Sequence, residues 1–352
     1  MSKKIRASIM GGTGYAAAEL IKRLVNHPNV ELVKVASIDH VGKNVGEVHR
    51  NFGNRLKYTL ENLTPEQLVA DKIDLIFLAL PHKVSYQMAP RFIELGVKII
   101  DFSGDYRIQD VAKYNKYYKT EHSNPENIKS FVYGLPELNR DKIITATRIA
   151  NPGCFPTGTA LATLPLGKAG LLNGKVRVVA PTGSSGSGVA PSEGTHHPIR
   201  FRNMKSYKPL SHQHQPEMEQ TLTAAGGTDI SVDFIPMSAP FGRGILVNVI
   251  VDLPSHVTEE QMHKLYTDYY KNSPMVRVLP LGQYPEIVAI AETNYVDVGI
   301  SLRDERSGTK SFAAISAIDN LVRGASGQAI QNMNLMFGLE ETTGLNDFGI
   351  WP

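Results

Sequence analysis

One cysteine, Cys154, and one tryptophan, Trp351, are all that this 352-residue chain holds of either residue. A single cysteine excludes internal disulfides and suits a reducing compartment, so the expected location is cytoplasmic. An excess of charge of one sign is also missing: 37 Lys and Arg stand against 34 Asp and Glu, for a formal net charge of +3. That balance is too mild and too dispersed for a nucleic-acid-binding surface. No run is long and apolar enough to cross a membrane, and Met1-Ser2-Lys3-Lys4-Ile5 lacks the apolar core of a signal peptide. With 42% hydrophobic and 20% charged residues, the composition is that of an ordinary globular protein whose length predicts two domains.

What is there begins with alternation. Ile5 to Met10 reads as a strand. Tyr15 to Asn26, with Ala17, Leu20, Ile21, Leu24 and Val25 at helical spacing, reads as a helix that stops at His27-Pro28. Strands at Glu31 to Ser37, Asp74 to Leu80 and Val97 to Asp101 follow, with a helix from Val84 to Leu95 that Gly96 ends. Such β-α-β alternation predicts a parallel sheet with right-handed crossovers. After Cys154 the pattern changes to strands at Lys175 to Ala180, Ile230 to Met237, Gly244 to Asp252, Tyr295 to Ser301 and Lys310 to Ile315. One helix, Thr258 to Tyr270, opens with Thr258 as N-cap and Gln261 completing a capping box. A final helix is expected from Ala317 to Phe337. The fold class is therefore α/β: an N-terminal Rossmann-type parallel sheet, then an α+β domain with a mixed or antiparallel sheet. The expected division is 1–150, 151–316 and 317–352, with the boundary close to Cys154 and the last helix returning to the first domain.

Cys154 lies in Asn151-Pro152-Gly153-Cys154-Phe155-Pro156-Thr157. The strand-like run Ile143 to Ile149 precedes it, and an Ala/Leu/Thr-rich helix, Gly158 to Leu164, follows. A thiol at a strand-to-helix turn sits near the N–H groups of the helix start, which favour the nucleophilic thiolate. A lone cysteine is usually a small buried hydrophobe. A core cysteine needs no shaped turn, so the flanking prolines and Gly153 argue for a nucleophile.

Gly11-Gly12-Thr13-Gly14-Tyr15-Ala16-Ala17 joins the first strand to the first helix, the place for a dinucleotide fingerprint. Gly11 allows the tight turn, Gly14 lets a pyrophosphate approach, and small Ala17 permits close helix-sheet contact. Gly11, Thr13, Gly14, Tyr15 and Ala16 are thus candidate cofactor contacts. At the second strand end, Ser37 suits a 2′-phosphate. Asp39 and Lys43 nearby pull in opposite directions, so these residues leave NAD or NADP open. Gly183-Ser184-Ser185-Gly186-Ser187-Gly188 offers further backbone N–H groups through Ser185 and Gly186, although a flexible loop has the same composition.

His212 and His214 precede Glu217, and one histidine near Cys154 would serve as general acid/base with Glu217 orienting it. A metal site would need a further Cys or carboxylate at suitable spacing, and no convincing set is present, so no metal is expected. Arg107 and Lys208 are candidate clamps for a phosphate or carboxylate. Two other classes fit fragments of this pattern. A Cys-His hydrolase would not need the glycine turn, and a dinucleotide sensor would not need a reactive thiol.

Taken together, several segments resemble the N-acetyl-gamma-glutamyl-phosphate reductases, the arginine-pathway members of the aspartate-semialdehyde dehydrogenase superfamily. They are Gly11 to Tyr15, Leu78-Ala79-Leu80-Pro81-His82, Asp101-Phe102-Ser103-Gly104-Asp105-Tyr106-Arg107, Tyr133-Gly134-Leu135-Pro136-Glu137, Asn151 to Thr157, His212 to Glu217 and Ala317 to Gly324. The resemblance implies NADP (NADPH), a small-molecule acyl phosphate as substrate, a homodimer or homotetramer, Cys154 as nucleophile, His212 as acid/base, and Asn320 on the nicotinamide carboxamide. The mechanism it implies is attack of the thiolate on the acyl carbon, a thioester, and hydride reduction to the semialdehyde. Glu217 joins Arg107 and Lys208 as a substrate contact. The chain departs from the pattern at Ala17, at Ile38 after Ser37 and at Val189 after the Ser-Gly loop. His196-His197-Pro198 and the basic stretch Arg200 to Lys208 look more like the lysine-pathway relatives, which reduce an acyl phosphate carried on a small acidic protein.

Overall fold

The computed structural model describes residues 3–303 and 308–351. By contacts the chain divides into two compact units, Met1–Pro152 with Ala325–Asn346, and Gly153–Gly324 with Asp347–Pro352.

The first unit is built on six parallel strands: β1 (Ile5–Met10), β2 (Val30–Ala36), β3 (Leu75–Leu78), β4 (Lys98–Asp101), β5 (Val132–Tyr133) and β6 (Arg148–Ala150). Their order across the sheet is β2-β1-β3-β4-β6-β5. The central strand β3 (Leu-Ile-Phe-Leu) is apolar and buried along its whole length, and β1 is buried from Ala7 to Met10, as in a parallel sheet covered on both faces. From β1 the chain turns one way to β2 and the other way to β3, so the carboxyl end of β1 is a topological switch point. Residues 11–14 occupy it. The apolar run from Ile143 divides differently from the expectation of one strand. Ile143, Ile144 and Thr145 finish a helix, Pro136–Thr145, and only Arg148–Ala150 joins the sheet. Pro136 at its N-terminus presets the helical backbone, and Ile143 buries its side chain on the helix rather than the strand.

The second unit carries β7 (Asn173–Thr182), β8 (Lys205–Ser206), β9 (Thr228–Ser238), β10 (Ile245–Pro254), β11 (Val276–Val278), β12 (Val296–Leu302) and β13 (Thr309–Ile318). They form one mixed sheet in the order β11-β12-β13-β10-β7-β9-β8. The helix Glu259–Tyr270 starts at Thr258 with the expected capping box. A second correction falls at the chain's end. Ala317 and Ile318 are not helical. They pair with Leu246 and Ile245 as the end of β13, and the α-helix runs only over Gly327–Met336 after a π-helical turn, Val322–Ser326. The Asp319 carboxylate accepts the Leu321 and Val322 amides there, so a side chain directs the backbone where helical spacing of apolar residues suggests a continuous helix.

The helix Cys154–Lys168 is apolar all round and is buried from Phe155 to Gly167, so it forms the core of this unit rather than its surface. Gly158 lets it approach the sheet: a Cβ there would lie 2.7 Å from Val247 Cγ2, and the Ser316 hydroxyl donates to the Gly158 carbonyl at 2.8 Å. Pro165 has no N–H to donate to the carbonyl of Leu161, four residues earlier. The Tyr270 hydroxyl donates to that carbonyl at 2.5 Å, and Tyr266 donates to the next one, Ala162, at 2.6 Å. Tyr270→Phe leaves the Leu161 oxygen buried without either donor. It should lower unfolding free energy by about 1–3 kcal/mol, read as a lower urea midpoint at unchanged m-value; an unchanged midpoint would contradict this assignment.

Candidate active site

Cys154 is the first residue of its helix, with Gly153 as N-cap in an extended conformation. The Gly153 N–H donates to Glu217 Oε1 at 2.8 Å, in a fully buried contact. Thr157 donates from its amide and its hydroxyl to the Gly153 carbonyl, each at 2.9 Å. Pro156 carries no N–H. The first-turn amides that the helix ladder does not use are therefore those of Cys154 and Phe155, the two nearest the thiol. Gly324 lies against the cysteine: a Cβ on it would fall 2.6 Å from Cys154 Cβ. Helix start, carboxylate and glycine together set where the sulfur stands.

His212 is buried within a ring cluster. Its imidazole meets Phe155 at 5.5 Å, Phe234 at 5.4 Å, His214 at 4.9 Å and Tyr207 at 5.7 Å between centroids, all edge to face. The His214 amide donates to His212 Nδ1 at 3.1 Å. A ring nitrogen that accepts from an N–H carries no hydrogen, which assigns the neutral ring's proton to Nε2. His212 is thereby held as a proton donor at one defined atom. Tyr207 is a site residue that the sequence does not announce. Burial first, and then the negative charge of Cys154, push its hydroxyl well above the ordinary tyrosine range, so the phenol stays protonated beside the thiol. Its only sequence signal is an aromatic residue between two lysine-bearing segments, which is no signal at all.

Ser185, Gly186 and Asn320 come together in the same unit. Asn320 Nδ2 donates to Ser185 Oγ at 2.9 Å, its Oδ1 accepts from the Gly244 amide at 2.7 Å, and a Cβ on Gly186 would stand 3.8 Å from Asn320 Nδ2. Asn320 thus fixes the Ser-Gly turn. Lys208 is exposed and donates to Gln213 Oε1 at 3.3 Å. Among the described residues, no group of three or more His, Cys, Asp and Glu side chains is arranged to hold a metal ion.

In the first unit, Gly11 adopts φ +96°, and a Cβ on it would lie 2.3 Å from the Ala79 carbonyl oxygen, so only glycine fits that turn. Gly11 and Gly12 both donate to the Ala36 carbonyl, at 2.9 and 3.0 Å, and His49 Nε2 bonds the Gly12 carbonyl at 2.8 Å. Among the described residues, nothing stands within 4 Å of the Cβ position of Gly14. No side chain caps the helix Tyr15–Leu24 that follows, so no side chain of its N-cap, Gly14, takes up its first amides. These residues fit a dinucleotide pyrophosphate at the helix start. Ser37 Oγ accepts from the Asp39 amide at 3.1 Å and closes the end of β2.

Arg107 is buried in this unit as well. Nε donates to the Asn151 carbonyl at 2.7 Å and Nη2 to the Phe102 carbonyl at 2.6 Å, joining the ends of β4 and β6. Beside it the two carboxylates of the Asp101-Phe102-Ser103-Gly104-Asp105 segment form a buried network. Asp105 accepts from the Lys83 and Tyr86 amides and from Tyr114 Oη, and Asp101 accepts from Ser103 and from Ser85 Oγ. Burial, and then the charge of Asp105, raise the Asp101 carboxyl to about 6.

Residues 6–146 match the semialdehyde dehydrogenase NAD binding domain, and residues 154–320 match the semialdehyde dehydrogenase dimerisation domain. Fold and site thus define an oxidoreductase with a nicotinamide-dinucleotide-binding domain and a separate thiol-bearing domain. The aspartate semialdehyde dehydrogenase II of Vibrio cholerae has the same fold, with a TM-score of 0.72 at 16% identity, covering 96% of this chain and 99% of that one. The aspartate semialdehyde dehydrogenase of Candida albicans, solved with NADP, gives a TM-score of 0.66 at 16% identity over 96% of this chain and 99% of its own. Sequence relatives are nearer. The N-acetyl-gamma-glutamyl-phosphate reductase of Methanosphaera stadtmanae is 42% identical over 99% of both chains. That of Methanocaldococcus jannaschii is 42% identical over 98% of this chain and 99% of its own. This chain belongs to the N-acetyl-gamma-glutamyl-phosphate reductase family. Among the described residues no helix is long and apolar enough to cross a membrane.

Two predictions follow from this geometry. Gly324→Ala displaces Cys154, so alkylation of the thiol by iodoacetamide should slow by at least about 10-fold with the fold retained; an unchanged rate would show that the contact does not set the thiol. Asp101 binds its proton more tightly when folded than when unfolded. Its contribution to stability is therefore full below about pH 4 and is lost as pH rises toward 6, by up to about 3 kcal/mol. In urea titrations, Asp101→Asn should gain stability relative to the parent between pH 4 and pH 7; parallel pH curves would contradict the shift.

Proposed function

We propose that this chain catalyses the NADPH-dependent reduction of N-acetyl-gamma-glutamyl phosphate to N-acetylglutamate 5-semialdehyde and phosphate, a step of arginine biosynthesis. The observation that carries this reading is a thiol at a helix start, on a turn held by a buried carboxylate, in the same unit as an imidazole whose proton is assigned to Nε2. Relatives bearing the reductase name, 42% identical along nearly the whole chain, support it.

The Cys154 thiolate attacks the acyl carbon. A carbon–sulfur bond forms, the carbon–oxygen bond to the phosphoryl group breaks, and phosphate leaves with its electron pair. NADPH, held along Gly11, Thr13, Gly14, Tyr15 and Ala16, would supply the hydride that reduces the thioester. His212 gives its Nε2 proton to the oxygen that gains charge, and the amides of Cys154 and Phe155 stabilise that oxygen beforehand. His212 then takes the proton back, the carbon–sulfur bond breaks, and the thiolate returns as the semialdehyde departs. Glu217 positions the nucleophile through Gly153 rather than touching substrate. Residues 1–150 serve as the NADP domain, with Gly11, Thr13, Gly14, Tyr15 and Ala16 along the pyrophosphate and Ser37 toward the 2′-phosphate. Residues 151–316 serve catalysis and pairing of subunits in a homodimer or homotetramer of the cytoplasm; of the expected returning segment 317–352, only Ala325–Asn346 belongs with the cofactor domain. Asn320 holds Ser185 and Gly186 in place, and these three residues would take the nicotinamide end of the cofactor.

One observation favours a second reading. His196, His197, Arg202, Lys205 and Lys208 are exposed together with Phe201 and Met204, a basic and apolar face suited to an acidic carrier protein. The reverse reaction separates the two. N-acetylglutamate semialdehyde and phosphate should yield NADPH from NADP⁺, whereas a folded protein inactive on the free aldehyde would favour the carrier. Cys154→Ser should bind NADP⁺ normally and lose turnover by at least about 1,000-fold. His212→Asn should lose about 100- to 10,000-fold. Near-full activity in Cys154→Ser would end this mechanism.

A further inference from the structure

Arg200 differs from the other cations of its stretch. Arg202, Lys205 and Lys208 are exposed, whereas Arg200, the last residue of the short helix His197–Arg200, is half-buried. Its Nη2 donates to the Thr182 carbonyl at 2.9 Å, which sets the plane of the guanidinium at the end of β7, one residue before the Ser-Gly turn. Its Nε is buried and meets no hydrogen-bond partner. Among the described residues no carboxylate pairs with it. Burial works against its charge and lowers its proton affinity, with only Tyr207 acting in the other direction. Tyr207 in turn feels both Arg200 and Cys154, and its ring meets that of His212. Arg200 therefore lies within electrostatic reach of Tyr207, which meets the imidazole and feels the thiol.

A half-buried guanidinium with no counter-charge is less favourable in the free protein than when a ligand brings the anion. Its planar fork matches the paired oxygens of a phosphate or carboxylate better than an ammonium does. We propose that Arg200 binds an anionic group of the substrate beside Cys154 through its guanidinium. The inference rests on the acyl-phosphate reading above. That substrate class carries two such groups, the phosphoryl group and the amino-acid carboxylate, and Arg200 faces one of them.

The test uses the full-length parent, Arg200→Gln and Arg200→Lys, each checked for an unchanged melting profile. Inorganic phosphate and N-acetylglutamate are titrated as protectants of Cys154 against iodoacetamide, a readout that needs no turnover. At least one should protect the parent, and Arg200→Gln should need about 10- to 100-fold more of it for half-protection. Arg200→Lys should fall between the two, and it serves as the comparison should the glutamine variant fail to fold. Phosphate as the affected protectant assigns the phosphoryl group; N-acetylglutamate alone assigns the carboxylate. Equal protection in all three proteins, or none in the parent, overturns the inference. Reverse-reaction kinetics, run in parallel, keep the two levels apart. A parent without phosphate-dependent turnover refutes the functional reading whatever the protection shows. An active parent with both KM values unchanged in the variants refutes the role of Arg200 alone. A residue that only braced Thr182 would change stability without raising the KM for a single anionic substrate.

Discussion

The Gly153 amide donates to a carboxylate that water does not reach, and the position of the only cysteine depends on that bond. Glu217 lies in the first turn of the helix Gln215–Ala224, three residues after His214, whose amide bonds the His212 ring. One six-residue segment therefore holds the nucleophile's turn at one end and sets the imidazole's tautomer at the other. A carboxyl group left unbonded at that depth would be costly, and a loop without it would let the helix start fray. The thiol is positioned by buried polar contacts on rigid elements, which is the arrangement that covalent catalysis needs.

Close approach is the second constraint. Gly324 meets the cysteine, Gly158 brings the nucleophile's helix down on Val247, and Gly11 brings its turn onto Ala79. At each place a methyl group would displace backbone or a core side chain. The helix Cys154–Lys168 then tolerates Pro165 because Tyr270 supplies the donor that the proline lacks. In the first unit the same economy appears around Asp101 and Asp105, where Ser, Tyr and backbone donors surround two carboxyls, and Arg107 ties the adjoining strand ends.

The parts of this architecture that follow from local rules are legible in the chain. The glycine turn, the alternation before Cys154 and the Thr258 capping box each depend on neighbours a few residues away, and the helix and strands they announce are present. Errors fall where distant contacts decide. Ala317 and Ile318 fit a helical period but are drawn into β13 by pairing with β10, and Ile143 serves a helix although its run resembles a strand. In the site, Cys154 and His212 stand out because their residue types are rare or clustered. The roles of Gly324, Tyr207 and Arg200 carry no such mark, since what distinguishes them is burial and a neighbour 18 to 170 positions away. Charge alone marks Arg107 and Lys208 in the chain, and charge does not reveal that Arg107 serves two backbone carbonyls.

The account turns on acyl transfer through Cys154. The most direct measurement mixes the protein with N-acetylglutamate semialdehyde and NADP⁺ in the absence of phosphate. The account predicts a burst of about one NADPH per active site and an intact-protein mass increase, carried on Cys154, that added phosphate removes. Steady phosphate-dependent turnover with neither a burst nor an added mass would contradict it.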